Sequence, residues 1–518
     1  MNGATNLKET TIVSARQMRD IEGQIFDRGM PVPALMEKAA GLCFRWIQNF
    51  YPLSQVSLVG VIVGPGHNGG DALVIARELS LVGYRVKVYR PLTKLKELTA
   101  SHAGYAASLQ IPFGEEIEIL EDCELIIDGL FGFGLERSLE GKIAEAVNKL
   151  NSWQKTVVSI DLPSGIATDT GEVLGTAVKA THSLCLGLWK QAFFQDRALE
   201  YINNAIVIDF GITEADIKAV IPEPHLIRQI TPRLAKQFLP LPRPLVTHKY
   251  KQGNLLLICG SRRYGGAAIL NALGARGSGV GMLSIAVPES LRELLLSQLP
   301  EALIIGCPET ASGAIDSLPL SDEELAKFDT IGGGSGLTSE ARPIVERILD
   351  FNCPLVLDAD ALNIVSRLSG DRIHDTLKTT AGFRIMTPHL GEFKRLFPKI
   401  EHPEKNRIAI AQQAAQDSNS IVLLKGAKTI IAHPNSSVWV VPKSSPALAR
   451  GGSGDVLTGL ISGLVAQQKG NEANIFNTVA VAAYWHAQAG INAAQERTQL
   501  GVDAFTLSNY LTSVWNFI

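Results

Sequence analysis

Ala449-Arg450-Gly451-Gly452-Ser453-Gly454-Asp455 opens a long amphipathic stretch that continues as Val456-Leu457-Thr458-Gly459-Leu460. Glycines at a helix start leave backbone N–H groups free to face an anion, and those groups can steady a phosphoryl group as its charge develops in transfer. A carboxylate fixed just behind them can take the proton of a hydroxyl nucleophile. Capping a helix needs only Ser453 or Asp455, so capping alone leaves the glycine cluster unexplained. The segment reads as a site for phosphoryl transfer to a hydroxyl, with Asp455 as its base.

A second glycine loop, Gly64-Pro65-Gly66-His67-Asn68-Gly69-Gly70-Asp71, follows an apolar run and precedes a helical pattern. Its spacing is not that of the dinucleotide fingerprint, and it lacks the Gly-Lys-Ser/Thr ending of a Walker loop. Asp128 follows Glu124-Leu125-Ile126-Ile127 and leads into Gly129-Leu130-Phe131-Gly132-Phe133-Gly134, while Asp161 leads into Leu162-Pro163-Ser164-Gly165. Ligands of open α/β sheets bind outside the carboxyl ends of strands. Asp71, Asp128 and Asp161, with Asn68 and Ser164, therefore form an oxygen-rich cluster suited to a hard cation or to acid–base work. Asp161 is the candidate acid–base group; Lys190 is a second, although a lysine in Leu186-Gly187-Leu188-Trp189-Lys190 can equally snorkel at a surface. Asp358 and Asp360 stand two apart on an expected strand, hence on one face, which fits a role beside magnesium.

The elements that must position these residues are short apolar runs alternating with helical patterns. In the first part they are Val56 to Val63, Arg85 to Tyr89, Glu124 to Asp128, Thr156 to Asp161, Ser183 to Leu186 and Ala205 to Ile208. Helical patterns lie between them at Ala72 to Val82, Lys94 to Leu109 and Ile143 to Leu150. Ser14 can cap an earlier helix, and Pro33 can open another that runs to Phe50. In the second part the runs are Leu255 to Cys259, Leu283 to Val287, Thr330 to Gly332, Pro354 to Asp358, Phe383 to Met386, Ile421 to Lys425, Thr429 to Ala432 and Val438 to Val441. Connections among the last three are too short for crossover helices, which predicts an antiparallel excursion. Two long helical patterns, Asp455 to Gln468 and Phe476 to Gln495, close the chain. Continuous apolar strands alternating with helices predict parallel, doubly wound α/β sheets.

The length of 518 residues exceeds one ordinary core. Six prolines between residues 222 and 244 place a junction there, and the expected domains are 1–225 and 226–518. With 46% hydrophobic and 19% charged residues the chain reads as soluble and globular, and its net charge of −3 disfavours nucleic-acid binding. No apolar stretch reaches membrane-spanning length, the first residues carry no apolar signal core, and the six cysteines are scattered singly. A cytoplasmic protein with reduced thiols is the expectation.

The first glycine loop, with Asp128 to Arg137, Asp161 to Gly165 and Leu35-Met36-Glu37, resembles the NAD(P)H-hydrate epimerase domain from about Ser14 to Gly211. The resemblance implies that His67, Asn68, Gly69, Gly70 and Asp71, with Gly132, Phe133, Gly134, Leu135, Glu136, Arg137 and Ser138, hold a hydrated nicotinamide nucleotide. It also implies contact by Asp161 and potassium binding by Asn68, Asp128 and Ser164. The family usually has Asn at the position of His67 and Gly at that of Ala72.

The Gly451 to Asp455 arrangement is similar to the ribokinase-like superfamily. His248-Lys249 through Arg262, Leu357 to Asn363, Thr387-Pro388-His389-Leu390-Gly391-Glu392 and Leu424-Lys425-Gly426-Ala427-Lys428-Thr429 narrow the resemblance to the ADP-dependent NAD(P)H-hydrate dehydratase over most of 245–470. The implied nucleotide contacts are Lys425, Gly426, Ala427, Lys428 and Thr429, then Ser445, Pro446, Ala447, Leu448, Ala449, Arg450, Gly451, Gly452, Ser453 and Gly454. The implied hydrate contacts are Gly334, His389, Leu390, Gly391, Glu392, Phe393, Lys394, Arg395 and Asp455. Gly332-Gly333-Gly334-Ser335-Gly336 stands where the family has Gly-Pro-Gly-Leu-Gly, which keeps close backbone approach and lowers loop rigidity.

The two resemblances together imply an N-terminal Rossmann-like sheet and a C-terminal ribokinase-like α/β/α domain. The bifunctional isomerase and lyase so described would epimerise hydrated NADH or NADPH in a potassium-binding unit and dehydrate the S form with ADP and magnesium. Self-association into a homo-oligomer, with no nucleic acid or membrane partner, completes the expectation. The alternative is a small-molecule kinase fused to a non-catalytic binding module.

Overall fold

The computed structural model describes residues 7–223, 225–370, 373–377, 382–469 and 471–517. Two compact units divide the chain between Leu226 and Ile227.

The first unit is built on a 7-stranded sheet. Its strand order is Phe113–Gly114, Arg85–Tyr89, Leu58–Val63, Leu125–Gly129, Thr156–Ile160, His182–Leu186 and Asn204–Ile208, and every pairing is parallel. Central strands buried on both faces explain the uninterrupted apolar runs: all of Leu58–Val63 and of Leu125–Gly129 is buried. The chain leaves Leu58–Val63 towards one edge and returns on its other side at Leu125–Gly129, so the order reverses between these two strands. Reversal splays the following loops apart and opens a crevice at the carboxyl ends. Ser14 caps helix Ala15–Asp27 through a reciprocal capping box with Gln17, and Pro33 lies in the first turn of helix Val32–Phe50.

In the second unit the order is Leu303–Cys307, Met282–Pro288, Asn254–Ile258, Thr330–Gly333, Leu355–Leu357, Arg384–Met386, Ile421–Leu424, Ile430–Ala432, Val438–Val440 and Ile227–Gln229. Ile421–Leu424, Ile430–Ala432 and Val438–Val440 pair antiparallel, as their short connections predict. Here the order reverses between Asn254–Ile258 and Thr330–Gly333. Helix Ser453–Ala466 is buried along nearly its whole length between the sheet and helix Ile475–Arg497. Both units are α/β, as the alternating pattern predicts.

Two local expectations fail. The strand expected through Asp358 ends at Leu357; Asp358 is the N-cap of helix Ala359–Ser369 and Asp360 lies inside that helix, so the two aspartates do not share a strand face. The proline-rich stretch, read only as a junction, holds strand Ile227–Gln229 and helix Pro232–Phe238, with its prolines outside the strand and at the helix start. The Gly332 to Gly336 loop is tightly constrained rather than loosened. Gly333 and Gly334 have φ of 133° and 117°, and a Cβ on either would stand 2.1 Å from the carbonyl oxygen of Ile258 or Asp358.

Candidate active sites

In the first unit, Leu58–Val63 delivers the chain to Gly66, which begins helix His67–Leu81 with no side chain bonded to its first N–H groups. The open helix start faces a cavity of about 880 Å³ lined by residues of this unit alone, among them Glu22, His67, Asn68, Asp71, Gly132 and Asp161. Of the candidate residues, Phe133, Gly134, Leu135, Glu136 and Arg137 also line it. Gly69 and Gly70 are buried in the turn beneath, and Ser138 lies exposed away from the cavity wall. A Cβ on Gly132 would come within 3.0 Å of Asp161 Oδ2 and 3.2 Å of Asn68 Oδ1, so glycine keeps that space open. Asn68 Nδ2 is buried without a partner, an unspent donor at the same place.

Asp161 is held on both oxygens. Oδ2 accepts the Phe133 N–H at 2.8 Å; Oδ1 accepts Lys190 Nζ at 2.6 Å and the Leu186 N–H at 3.3 Å. Its backbone has φ of 66°, a conformation costly for an L-residue that tertiary contacts must sustain. Lys190 does not snorkel. Its side chain is 0% exposed, it also donates to the Leu186 carbonyl, and it sits 5.5 Å from the Phe133 ring centroid. Burial pulls the ammonium down, yet the Asp161 charge and the nearby Cys185 and Glu22 lift it net above its ordinary value.

Asp128 lies behind this wall, fully buried. Oδ1 accepts Ser164 Oγ at 2.6 Å and the Leu130 N–H at 3.2 Å; Oδ2 accepts Ser159 Oγ at 2.8 Å and the Ser164 N–H at 2.9 Å. Burial pushes its carboxyl up against the pull of these donors. Asp71 is also driven well up, by burial first and then by Asp161 and Glu22. His67, at the rim, is lowered by partial burial and by Lys96. Sequence reading missed Glu22 in helix Ala15–Asp27; a carboxylate four residues after buried Met18 and one after buried Ile21 was the available signal.

In the second unit, Gly452 in the left-handed conformation starts helix Ser453–Ala466 with no side-chain cap, and Asp455 stands in its first turn. Burial pushes the Asp455 carboxyl to about 6, opposed by the Ser335 hydroxyl, raised further by Asp358 and lowered by Lys425. Asp358 is buried and accepts Lys425 Nζ and Thr387 Oγ1, both at 2.8 Å on Oδ1, and Thr458 Oγ1 at 2.8 Å on Oδ2. Lys425 Nζ also lies 3.9 Å from Glu392 and 3.5 Å from where a Cβ on Gly454 would stand. Burial lowers this ammonium, but Asp358, Glu392 and Asp455 raise it net, so it stays charged. Gly334, Ser335, Lys425, Gly454 and Asp455 thus converge at one point beyond the strand ends.

His389 and Glu392 form a reciprocal capping box. His389 Nδ1 accepts the Gly391 and Glu392 N–H groups at 2.9 and 3.4 Å, while Glu392 Oε2 accepts the His389 N–H at 2.9 Å. The box fixes the entry of helix Leu390–Leu396 and turns Glu392 towards Lys425. Phe393 is fully buried against Phe397, Lys394 pairs with Glu404 at 3.8 Å, and Arg395 donates to Asn363 at 2.9 Å. Gly426 and Ala427 are exposed in the turn after Lys425, while Lys428 donates to the Pro442 carbonyl and Thr429 Oγ1 to Gly426 at 3.4 Å. Ser445 caps the short turn Pro446–Leu448, whose Ala447 is core, and Arg450 is tied to the carbonyls of Leu500 and Val502 at 3.1 and 2.9 Å. The sequence also hid His486, which burial holds down at about 4 and whose Nε2 lies 2.9 Å from the Ser453 carbonyl oxygen, supporting the first turn from beneath. The orphaned hydroxyls of Ser261 and Ser335 lie in the loops where strand order reverses. Among the described residues no helix is long and apolar enough to cross a membrane, and no cluster of three His, Cys, Asp or Glu could hold a metal.

Residues 255–513 match the family described as NAD(P)H-hydrate dehydratase, and residues 32–192 match that described as YjeF-related protein N-terminus. A bifunctional NAD(P)H-hydrate repair enzyme Nnr of Synechocystis is 51% identical over 96% of this chain and 94% of its own length. Its counterpart in Thermosynechococcus vestitus is 48% identical over 95% and 94%. Among solved structures, an ADP/ATP-dependent NAD(P)H-hydrate dehydratase of Bacillus subtilis, co-crystallised with ATP and magnesium, is 30% identical, covering 55% of this chain and 96% of that one with a TM-score of 0.47. The chain belongs to the family of bifunctional NAD(P)H-hydrate repair enzymes, with its epimerase unit ahead of its dehydratase unit.

Proposed function

We propose that the two sites restore one damaged cofactor in succession, and that Asp455 is the base which commits the hydrate to repair. The nicotinamide hydrate carries a hydroxyl on ring carbon six beside the ring nitrogen, and hydroxide is a poor leaving group. Transfer of a phosphoryl group from ADP to that hydroxyl leaves AMP; expulsion of phosphate by the nitrogen electron pair then restores the reduced ring. The observation that carries this reading is Asp455 itself, raised to about 6, one turn inside an uncapped helix start and within the field of Lys425. Such a carboxylate is ionised at neutral pH yet basic enough to take a hydroxyl proton. The Gly452 to Gly454 N–H groups and Lys425 would face the phosphoryl oxygens. Magnesium, bound chiefly through nucleotide phosphates, would neutralise the charge gathered there. His389 to Arg395 and Gly334 would present the hydrate, Phe393 through its backbone only, because its ring is core.

In the epimerase unit, Asp161 is the group we place at the reacting carbon, with its orientation fixed by Lys190. The nucleotide phosphates would meet the open start of helix His67–Leu81. The Asp128 region fits a potassium ion. Its buried carboxylate is bonded only to hydroxyls and backbone, with no cationic side chain among those partners, and Asn68 approaches the same strand end. A bound monovalent cation would supply the missing positive charge without doing chemistry.

Purified protein incubated with mixed NADH hydrate epimers, ADP and magnesium should convert all of the hydrate to NADH. Conversion that halts at the starting fraction of one epimer removes the epimerase half of the reading. A stable phosphorylated product in place of NADH removes the dehydratase half and restores the small-molecule kinase. Self-association belongs to the same proposal and is read from the mass by light scattering.

A further inference from the structure

The cavity of the first unit holds one carboxyl group without a task. Glu22 lies on helix Ala15–Asp27, four residues after Met18 and next to Ile21, both buried, so helical spacing turns it inward. It shares the cavity wall with Asn68, Asp71 and Asp161.

Glu22 and Asp161 are bound in opposite ways. Asp161 is fixed by Phe133, Leu186 and Lys190 on both of its oxygens. A carboxylate so engaged is fixed in position, with its oxygens already committed to donors of the wall. Glu22 accepts no hydrogen bond from any described residue. The charged groups that act on it are Asp161 across the cavity, Lys190 buried behind Asp161, Arg19 on its own helix, and Asp71 on helix His67–Leu81. Burial pushes the Glu22 carboxyl to about 7, with Lys190 and Arg19 opposing and Asp161 adding to the rise. A carboxyl group divided between its two forms near neutrality can both take and return a proton.

We propose that Glu22 is the proton-carrying catalytic residue of the epimerase unit, with the Asp161–Lys190 pair as its fixed electrostatic partner. The assignment rests on the epimerase reading above. The Glu22 carboxylate removes the proton of the hydroxyl on carbon six. The O–H electron pair becomes the second bond of a carbonyl group, and the bond from carbon six to the ring nitrogen breaks with its electrons going to nitrogen. Nitrogen takes the same proton back from the Glu22 acid, leaving an open-chain aldehyde. Rotation about the bond between carbons five and six presents the other carbonyl face, and closure runs both transfers in reverse. One proton shuttles through one residue, nothing is oxidised, and no co-reactant is consumed.

The test is epimer exchange in NADH hydrate, followed by NMR across pH 5.5 to 8.5 on the full-length protein and its Glu22→Gln and Glu22→Ala variants. Dehydration of the S epimer by each variant reports on the second unit in the same preparation. Wild-type exchange should rise about tenfold per pH unit and level off above about 7. Glu22→Gln should be slower by about 100-fold or more at pH 7.5 and lose that limb, and acetate should restore exchange to Glu22→Ala in proportion to its concentration. Glu22→Gln within about threefold of wild type, or slowed variants that keep the limb and ignore acetate, overturn the assignment. Wild-type protein that exchanges no epimers overturns the epimerase reading itself, and Glu22 with it.

Discussion

Each unit buries an aspartate–lysine pair at a strand end, and the two pairs are put to different uses. In the first, Lys190 and Asp161 are 0% and 3% exposed and 2.6 Å apart, and the ammonium spends its remaining donors on the Leu186 carbonyl and Cys185. It does not line the cavity, so its charge serves to hold Asp161 in a strained backbone conformation. In the second, Asp358 is as deeply buried but Lys425 remains 22% exposed, with Glu392, Gly454 and Asp455 around its free side. That ammonium is offered outward, where a phosphoryl group would come. A buried ion pair is therefore no signature of one chemistry: whether the cation's third donor faces backbone or cavity decides its role.

The widest separation between the two sites should come from Asp455→Asn. Loss of the base should slow dehydration of the S epimer by about 10³-fold while epimer exchange continues, because Asp455 has no part in the chemistry proposed for the epimerase unit. Loss of both activities would break the comparison at its root. Next in size are the two lysines. Lys190→Met strands a buried carboxylate and should destabilise the first unit by about 3–5 kcal/mol, read as a lower melting temperature. Lys425→Met leaves Asp358 with its two hydroxyl donors, Thr387 and Thr458, so its main cost should fall on turnover, about 10²–10³-fold in dehydration. The reverse pattern, with Lys425→Met unfolding its unit and Lys190→Met merely slow, would exchange the roles given to them.

These roles could be approached from the sequence only in part. Parallel strands covered on both faces must be apolar throughout, so Asn254–Ile258 and Leu125–Gly129 are legible as runs. Edge strand Leu303–Cys307 went unread although Leu303-Ile304-Ile305 is an apolar run; its first leucine is 56% exposed, so the run is not matched by burial. The glycine loops were legible because a capped helix needs few glycines. The burial of Lys190, a residue the sequence offered only as a second candidate, was not, since it depends on Asp161, 29 residues earlier and joined to it only by folding. Asp360 was misplaced because the strand ends one residue before the spacing implied; its carboxylate instead accepts the Thr338 N–H at 3.0 Å. Glu22 was hidden for a different reason. An acidic residue on a helix reads as solvent-facing unless the buried face of that helix is already known.

A smaller effect is a difference in acid limbs. Asp455 must be ionised to act, and burial raises it to about 6, so dehydration should fall about tenfold per pH unit below about 6 and stay level above. Epimer exchange should turn over about one unit higher if Glu22 carries its proton. A shared limb in both activities would point to one common group, such as the hydrate itself, rather than to two separately tuned carboxyls.

The smallest predicted change concerns Ser335. Its hydroxyl is buried without a hydrogen-bond partner of good geometry, yet it lies near enough to Asp455 to pull that carboxyl down. A donor that favours the ionised form lowers a pKa, and its removal raises it. Ser335→Ala should therefore move the acid limb of dehydration to higher pH, and the loss of rate should be greater at pH 6 than at pH 8. Stability should change little, because an orphaned hydroxyl contributes no internal bond to lose. No hydroxyl in the epimerase unit should have this effect on dehydration. A Ser335→Ala limb that stays in place would mean that burial and Asp358 alone set the basicity of Asp455. The dehydratase carboxylate would then be tuned as Glu22 is, by desolvation and neighbouring charge without a dedicated donor.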